Sequence, residues 1–246
     1  MATAIHDGHE VRAEVMRYLA LDETARLREG DPFTGKWAEI APTRVVGLRS
    51  RFEVDLNRSR EQAVYRTPDD AWGLEVWGDC LPDDVADHSL QGYDAFYATL
   101  EKLYRSLADR YGRFLVLDLH SYNHRRDGPD QPPADPEGNP QVNIGTGTMI
   151  DREPWARLID RFRNDLAAYD FPGGRLDARE NVRFRGGACA AWTHRTFPDE
   201  ACVLSVEVKK FFMNEWTGVP DEVLVDAVES ALTVTLPGIL EELERM

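Results

Sequence analysis

Three of the six histidines stand where a short apolar segment gives way to a polar one. His6 and His9 are three residues apart, a spacing that lets two side chains bind one ion from a single turn. His120 follows the apolar run at 115–119 and would be the remote ligand. Two close ligands, one distant ligand and an open water position are the usual layout of a catalytic zinc site. The pattern predicts a Zn²⁺ site, with a buried histidine bonded to a carbonyl as the alternative for His120.

A candidate general base lies in a second apolar segment. Glu207 is flanked by Leu204-Ser-Val and Val208, where a carboxylate is costly to bury without a partner or a task. Burial raises the pKa of such a group, so that it can take a proton from metal-activated water. The alternative is a structural ion pair between Glu207 and Lys209 or Arg185.

Asn57 and Arg58 follow the hydrophobic and acidic segment 52–56. An arginine can hold a carboxylate in a bidentate manner, and an asparagine beside it can polarise a carbonyl. The pair therefore predicts a site for a substrate carboxylate. The alternative is a solvated turn with an ion pair to Asp55 or Glu61.

A sheet is needed to bring these groups together, and the hydrophobic pattern predicts one. Strands are expected at residues 44–48, 52–56, 114–119, 142–145, 182–184 and 202–208, and helices at 11–19, 92–111, 153–169 and 219–244. Strands alternating with amphipathic helices predict an α/β fold of three layers, with a mixed, mostly parallel twisted sheet and helices on both faces. No linker is apparent, so residues 1–246 are expected to form a single domain.

The amino-acid composition limits the classes of partner that this chain could bind. The net charge of −15 repels phosphate backbones, which argues against nucleic-acid binding and favours a small-molecule partner. No apolar run is expected to span a membrane, and the N-terminus lacks the basic and apolar regions of a signal peptide. Three unpaired cysteines, Cys80, Cys189 and Cys202, favour the cytoplasm and are expected to be buried.

The order of these motifs resembles that of the zinc carboxypeptidase superfamily. The segment 118–122, Asp-Leu-His-Ser-Tyr, resembles the one that gives its second zinc histidine. The segment 54–58, Val-Asp-Leu-Asn-Arg, resembles the one whose Asn-Arg pair holds the substrate carboxylate. Ile5 to His9 stands where its His-x-x-Glu ligand pair occurs, and Val206-Glu-Val208 where its catalytic glutamate occurs.

Within that superfamily the chain resembles the N-formylglutamate amidohydrolase branch. Further similar segments are 144–146, 184–187 and 204–215. The resemblance implies zinc-dependent hydrolysis of the amide bond of an N-acyl acidic amino acid such as N-formyl-glutamate. It implies His6, His9 and His120 as metal ligands, Glu207 as catalytic base, and Asn57 and Arg58 as substrate-binding residues. Arg185 and Ser121 are further candidates for substrate binding. Asp118, two residues before His120 and so on the same strand face, is expected to orient a ligand.

Some positions depart from the family pattern and leave alternatives open. His9 stands where the carboxypeptidases have a glutamate, so Glu10 is the alternative second ligand. Arg12, Arg49 and Arg51 compete with Arg185 for a second substrate carboxylate. Other activities fit the same motifs: a zinc carboxypeptidase, another N-acyl-amino-acid deacylase, or a zinc-free protein that binds an acidic metabolite.

Overall fold

A six-stranded sheet crosses the centre of the computed structural model, which describes residues 1–246. Its strands are β1 (Ala2–Ala4), β2 (Arg44–Val46), β3 (Phe114–Tyr122), β4 (Val142–Gly145), β5 (Ala178–Glu180) and β6 (Ala201–Lys209). The order is β2-β1-β3-β6-β4-β5, and only the β6–β4 pair is antiparallel. The predicted mixed, mostly parallel sheet is confirmed.

Helices cover both faces of this sheet. They are α1 (Ala13–Met16), α2 (Glu23–Glu29), α3 (Thr34–Trp37), α4 (Asp83–Tyr111), α5 (Ala156–Ala168), α6 (Ala188–Thr196), α7 (Glu222–Thr233) and α8 (Leu236–Glu244). One core joins α3, α5, α7 and α8 to the first face. The other joins α4 and α6 to the second face. The predicted three layers are therefore present.

The second face changes character along β3. Phe114 and Val116 point into the core under α4 and α6. Successive residues of a strand alternate between its faces, so Asp118 and His120 lie on this same side nearer the carboxyl end. Both are buried, at 1% and 2% exposure. The amino half of the strand thus packs the core, and its carboxyl half carries polar groups.

Two predicted strands are wrong. Residues 52–56 form turns and irregular backbone, and Val54 and Leu56 pack into the second core without pairing with a neighbouring strand. The strand expected at 182–184 lies earlier, as β5. Asn181 ends it, because its φ of 56° lies in the left-handed region, which no strand can continue.

The C-terminal helical segment also differs from expectation. The single helix expected at 219–244 is divided at Val234 and Thr235 into α7 and α8. Pro237 lies in the first turn of α8, where its missing N–H costs no hydrogen bond. Glu222–Glu244 is long enough to span a membrane and contains an 18-residue window with a mean hydropathy of 1.6, contrary to the expectation that no apolar run is so long. Its Val225 and Leu232, however, lie in the first core.

The cysteines are free thiols, as their odd number indicated. Cys189 and Cys202 are buried in the two cores. Cys80 is exposed, so the prediction that all three are buried is wrong for this residue.

Candidate metal centre and substrate cleft

A cleft of about 690 Å³ opens at the carboxyl ends of β1, β3 and β6. This is the edge of an open α/β sheet at which ligands usually bind. Seven of the residues predicted from the sequence line it: His6, Asn57, Arg58, His120, Ser121, Arg185 and Glu207. His9 does not.

Three side chains at the floor of the cleft form a potential metal-binding cluster: His6, Asp31 and His120. Their candidate ligand atoms all lie within 4.8 Å of one another. The Oδ2 atom of Asp31 is 2.9 Å from Nδ1 of His120 and 3.3 Å from Nδ1 of His6. All three side chains are almost fully buried.

Asp31 takes the place that the sequence assigned to His9. On a helix, residues three apart share a face, but the backbone after His6 is not helical, and His9 lines neither the cleft nor the cluster. His9 and its alternative Glu10 are both exposed. The prediction that His9 completes the cluster is therefore corrected.

The fold brings Asp31 to the cluster through a loop between two short helices. Its backbone N–H donates to the carbonyl of His6 at 3.0 Å. Its own carbonyl accepts from the hydroxyl of Thr34 at 2.6 Å. In the sequence, Asp31 stands in a Gly-Asp-Pro loop that carries no metal-binding spacing. No local pattern distinguishes it from other loop aspartates.

A carboxylate lies behind each histidine. Oδ1 of Asp55 is 2.7 Å from Nε2 of His6. Oδ2 of Asp118 is 3.1 Å from Nε2 of His120, and Oδ1 of Asp118 accepts from the hydroxyl of Thr3 at 2.7 Å. Carboxylates in such positions fix the ring orientation of metal-binding histidines. Asp118, which the sequence predicted to orient a ligand, therefore lies beside the ring of His120.

The donor set fits a zinc ion. Two imidazoles and one carboxylate are a common set of protein ligands at catalytic zinc sites, and they leave a position open. Nδ1 of His6 is buried without a hydrogen bond, so it is free to bind an ion. Burial alone would raise the pKa of Asp31, but the hydrogen bond from His120 and the closeness of the His6 ring hold it well below its ordinary value. Asp31 is thus a carboxylate, the form that binds metal.

Glu207 lies beside this cluster. It pairs in register with His120 across β3 and β6. Its carboxylate makes no ion pair, since Lys209 donates instead to the carbonyl of Asn139 at 2.8 Å and Arg185 has no acidic partner. Burial raises the pKa of Glu207 to about 7, an effect that the nearby His120 partly offsets. The ion-pair alternative for this residue is not what the structure contains.

The raised pKa predicts a pH-dependent stability in the metal-free protein. The folded chain binds the Glu207 proton more tightly than the unfolded chain, whose pKa is near 4.5. This contribution is fully present below pH 4.5 and is lost as the pH rises through about 7. We expect metal-free Glu207→Gln to unfold at a higher temperature than the metal-free wild type at pH 8, with a smaller difference at pH 5.

Thermal unfolding after chelator treatment measures this difference. Glu244→Gln is the control, because Glu244 is exposed and makes no ion pair. A difference that grows as the pH falls would contradict the assignment.

Asn57 is held by the amino end of α6. Its Oδ1 accepts from the backbone N–H of Cys189 at 3.0 Å, which leaves its Nδ2 donors for a ligand. Gly187 allows this contact, because a Cβ there would lie 2.2 Å from Oδ1 of Asn57. The helix was not predicted from the sequence.

The arginines around the cleft differ in how firmly they are paired. Arg51 donates to Asp55 at 2.8 Å, whereas Arg58 reaches the same carboxylate only at 3.9 Å. Arg185 is exposed and has no ion pair. Arg12 and Arg49 lie outside this cleft, against Glu53. Arg58 and Arg185 are therefore the freer of the predicted candidates.

His194 has a structural place. Its Nε2 accepts from the backbone N–H of Val203 at 3.0 Å, so its Nδ1 carries the proton and donates to the hydroxyl of Thr148 at 2.9 Å. Burial lowers the pKa of His194 to about 4, so the ring is neutral. His194 is thus a neutral, buried residue that joins α6 to β6.

Comparison with known proteins agrees with this architecture. The sequence model of the N-formylglutamate amidohydrolase family matches residues 1–212. The crystal structure of N-formylglutamate amidohydrolase from Ralstonia eutropha JMP134 is similar, with a TM-score of 0.75 and 18% identity over 99% of this chain and 93% of that one. A gene product from Agrobacterium tumefaciens is similar with a TM-score of 0.66 and 16% identity, over 97% and 90% of the two chains. No curated protein sequence matches the chain.

Proposed function

This chain belongs to the N-formylglutamate amidohydrolase family, and from that premise we propose that it is a zinc-dependent amidohydrolase. Its substrate would be an N-acyl acidic amino acid such as N-formyl-glutamate. The observation that carries the proposal is the unpaired Glu207 carboxylate beside the cluster of His6, Asp31 and His120. A base without an ion pair next to a zinc-type donor set is the arrangement that amide hydrolysis requires.

His6, Asp31 and His120 would hold the zinc ion. When bound, zinc supplies Lewis acidity: it lowers the pKa of water toward ~7 and polarises the amide carbonyl. Asp55 and Asp118 would keep the two imidazole rings in their orientations.

Glu207 would move the proton. It takes one proton from the attacking water and delivers it to the leaving nitrogen. The water oxygen forms the new bond to the carbonyl carbon as the C–N bond breaks, which releases formate and the free amino acid. Burial supports this role, because a carboxylate with a pKa near 7 both accepts and donates a proton at neutral pH.

The polar groups at the mouth would orient the substrate. Arg58 and the Nδ2 of Asn57 would bind one carboxylate, and Arg185, which also lines the cleft, would bind a second. The hydroxyl of Ser121, 3.4 Å from Oδ1 of Asp31, would help to hold the Asp31 carboxylate in place as a metal ligand.

Removing Arg58 should weaken substrate binding. A charge-assisted hydrogen bond contributes about 1.5–3 kcal/mol, so Arg58→Met should raise KM for N-formyl-glutamate by about 10–100-fold. Arg60→Met is a matched control, since Arg60 is exposed and pairs with Asp94 at 2.7 Å. Steady-state kinetics on both variants measures the effect; equal KM values would remove Arg58 from the substrate site.

Metal analysis and a substrate panel test the whole proposal. Protein purified without chelators should carry about one zinc per chain and lose turnover when a chelator removes it. N-formyl-glutamate should be cleaved in preference to N-formyl amino acids without an acidic side chain, larger N-acyl glutamates and short peptides. Preference for peptides would favour the carboxypeptidase alternative. Absence of zinc and turnover would leave a metabolite-binding protein.

The free cysteines agree with a cytoplasmic location.

A further inference from the structure

Lys210 carries a buried charge that has no acidic partner. Its side chain is 1% exposed, and its ammonium group forms no salt bridge. Burial lowers the pKa of Lys210 to about 8, an effect that the nearby carboxylates of Asp31, Glu29 and Glu215 partly offset without forming a salt bridge. An unpaired ammonium is costly to bury, so its retention at the floor of the cleft calls for a specific role.

The contacts of Lys210 join two parts of the site. Its Nζ donates to the carbonyl oxygens of Arg28 and Gly30, the latter at 2.7 Å. These carbonyls end α2, where the last carbonyls of a helix lack intrahelical partners and a cation is favourable. The backbone N–H of Lys210 donates to Tyr122 of β3 at 3.0 Å. Lys210 therefore fastens the end of α2 to the carboxyl ends of the two central strands.

Asp31 is the residue that follows this attachment. Gly30 links it to α2, and its side chain is the only member of the metal-binding cluster that no strand supports. His6 and His120 are placed by β1 and β3. The distance between the Asp31 carboxylate and these rings therefore depends on where Gly30 is held.

We propose that Lys210 is a positioning residue, which sets the geometry of the Asp31 carboxylate by holding the carbonyl groups of Arg28 and Gly30. The inference rests on the proposed function only in requiring that His6, Asp31 and His120 bind a metal. Lys209, its neighbour in sequence, bonds instead to Asn139 and has no such connection.

The test is the zinc dissociation constant of metal-free protein, measured by competition with a chromophoric chelator. Lys210→Met removes the donors, and we expect it to raise the dissociation constant by about 10–100-fold, as changes to outer-shell groups of metal sites do. Lys210→Arg keeps N–H donors and should recover most of the affinity. Lys209→Met should bind zinc like the wild type. At saturating zinc, Lys210→Met should keep the KM of the wild type.

Two outcomes overturn the proposal. One is a folded Lys210→Met that binds zinc as tightly as the wild type, and the other is a Lys210→Arg that binds as weakly as Lys210→Met. If Lys210→Met does not accumulate as folded protein, Lys210→Arg decides alone: its zinc dissociation constant should stay near that of the wild type, and a rise of about 10-fold or more overturns the proposal. A wild-type chain that binds no zinc refutes the proposed function instead, so the two failures are distinguishable.

Discussion

Glu207→Gln should retain the zinc content of the wild type and lose about 10²–10⁴-fold in kcat, the range that a general base contributes. The substitution keeps the size of the side chain and removes its ability to accept a proton. Because Glu207 belongs neither to the metal-binding cluster nor to an ion pair, its loss should leave the fold and the cluster unchanged.

Single-turnover kinetics together with metal analysis measures both parts of this result. Glu29→Gln is the control, since Glu29 is a second carboxylate that lines the cleft but is paired with Arg28 and Arg126. It should keep most of its turnover. A Glu207→Gln enzyme with the activity of the wild type would rule out the residue as the base.

Asp31→Ala should lose metal affinity, whereas His9→Ala should not. Asp31 supplies one of only three side chains in the cluster, so its removal should cost more than the roughly 10–100-fold typical of an outer-shell group. His9 is exposed and lies outside the cleft. Its removal should leave both metal affinity and turnover unchanged.

Zinc titration of the two metal-free variants separates the two assignments directly. Both proteins are compared with the wild type at one pH, because protons compete with zinc for the ligands. Loss of zinc binding in His9→Ala with retention in Asp31→Ala would restore the assignment that the sequence spacing suggested.

The central part of the site could be predicted because it lies on strands. Apolar runs around His120 and Glu207 predicted two strands, and parallel strands present their carboxyl ends at one edge of a sheet. The two residues do pair in register across β3 and β6. Local hydrophobic pattern was sufficient here, since the same pattern that forms the strand also places the side chain.

Asp31 and Lys210 could not be found in this way. Asp31 comes to the cluster through a loop, and its position depends on two hydrogen bonds between distant parts of the sequence. Its own N–H donates to the carbonyl of His6, and the carbonyl of Gly30 before it accepts from Lys210. Lys210 is separated from its partners Arg28 and Gly30 by about 180 residues. The segment containing Asp55 misled for a related reason: its alternation of apolar and polar residues is that of a strand, but the chain supplies no neighbouring strand to pair with it.

Asp55 serves two parts of the site at once. Its Oδ1 contacts Nε2 of His6 and accepts from the backbone N–H of Asn57. Its Oδ2 accepts from the side chains of Arg51 and Tyr65. A metal ligand and the segment proposed to bind the substrate carboxylate therefore share one carboxylate. We expect this to make the two binding equilibria cooperative.

Thermodynamic reciprocity then requires the effect to be the same in both directions. Whatever factor zinc adds to the affinity for an anionic substrate analogue, the analogue must add to the affinity for zinc. Calorimetric titration of each ligand in the presence and absence of the other measures both factors. Asp55→Asn should bring both factors closer to one. In that variant, loss of zinc would no longer weaken the binding of the substrate.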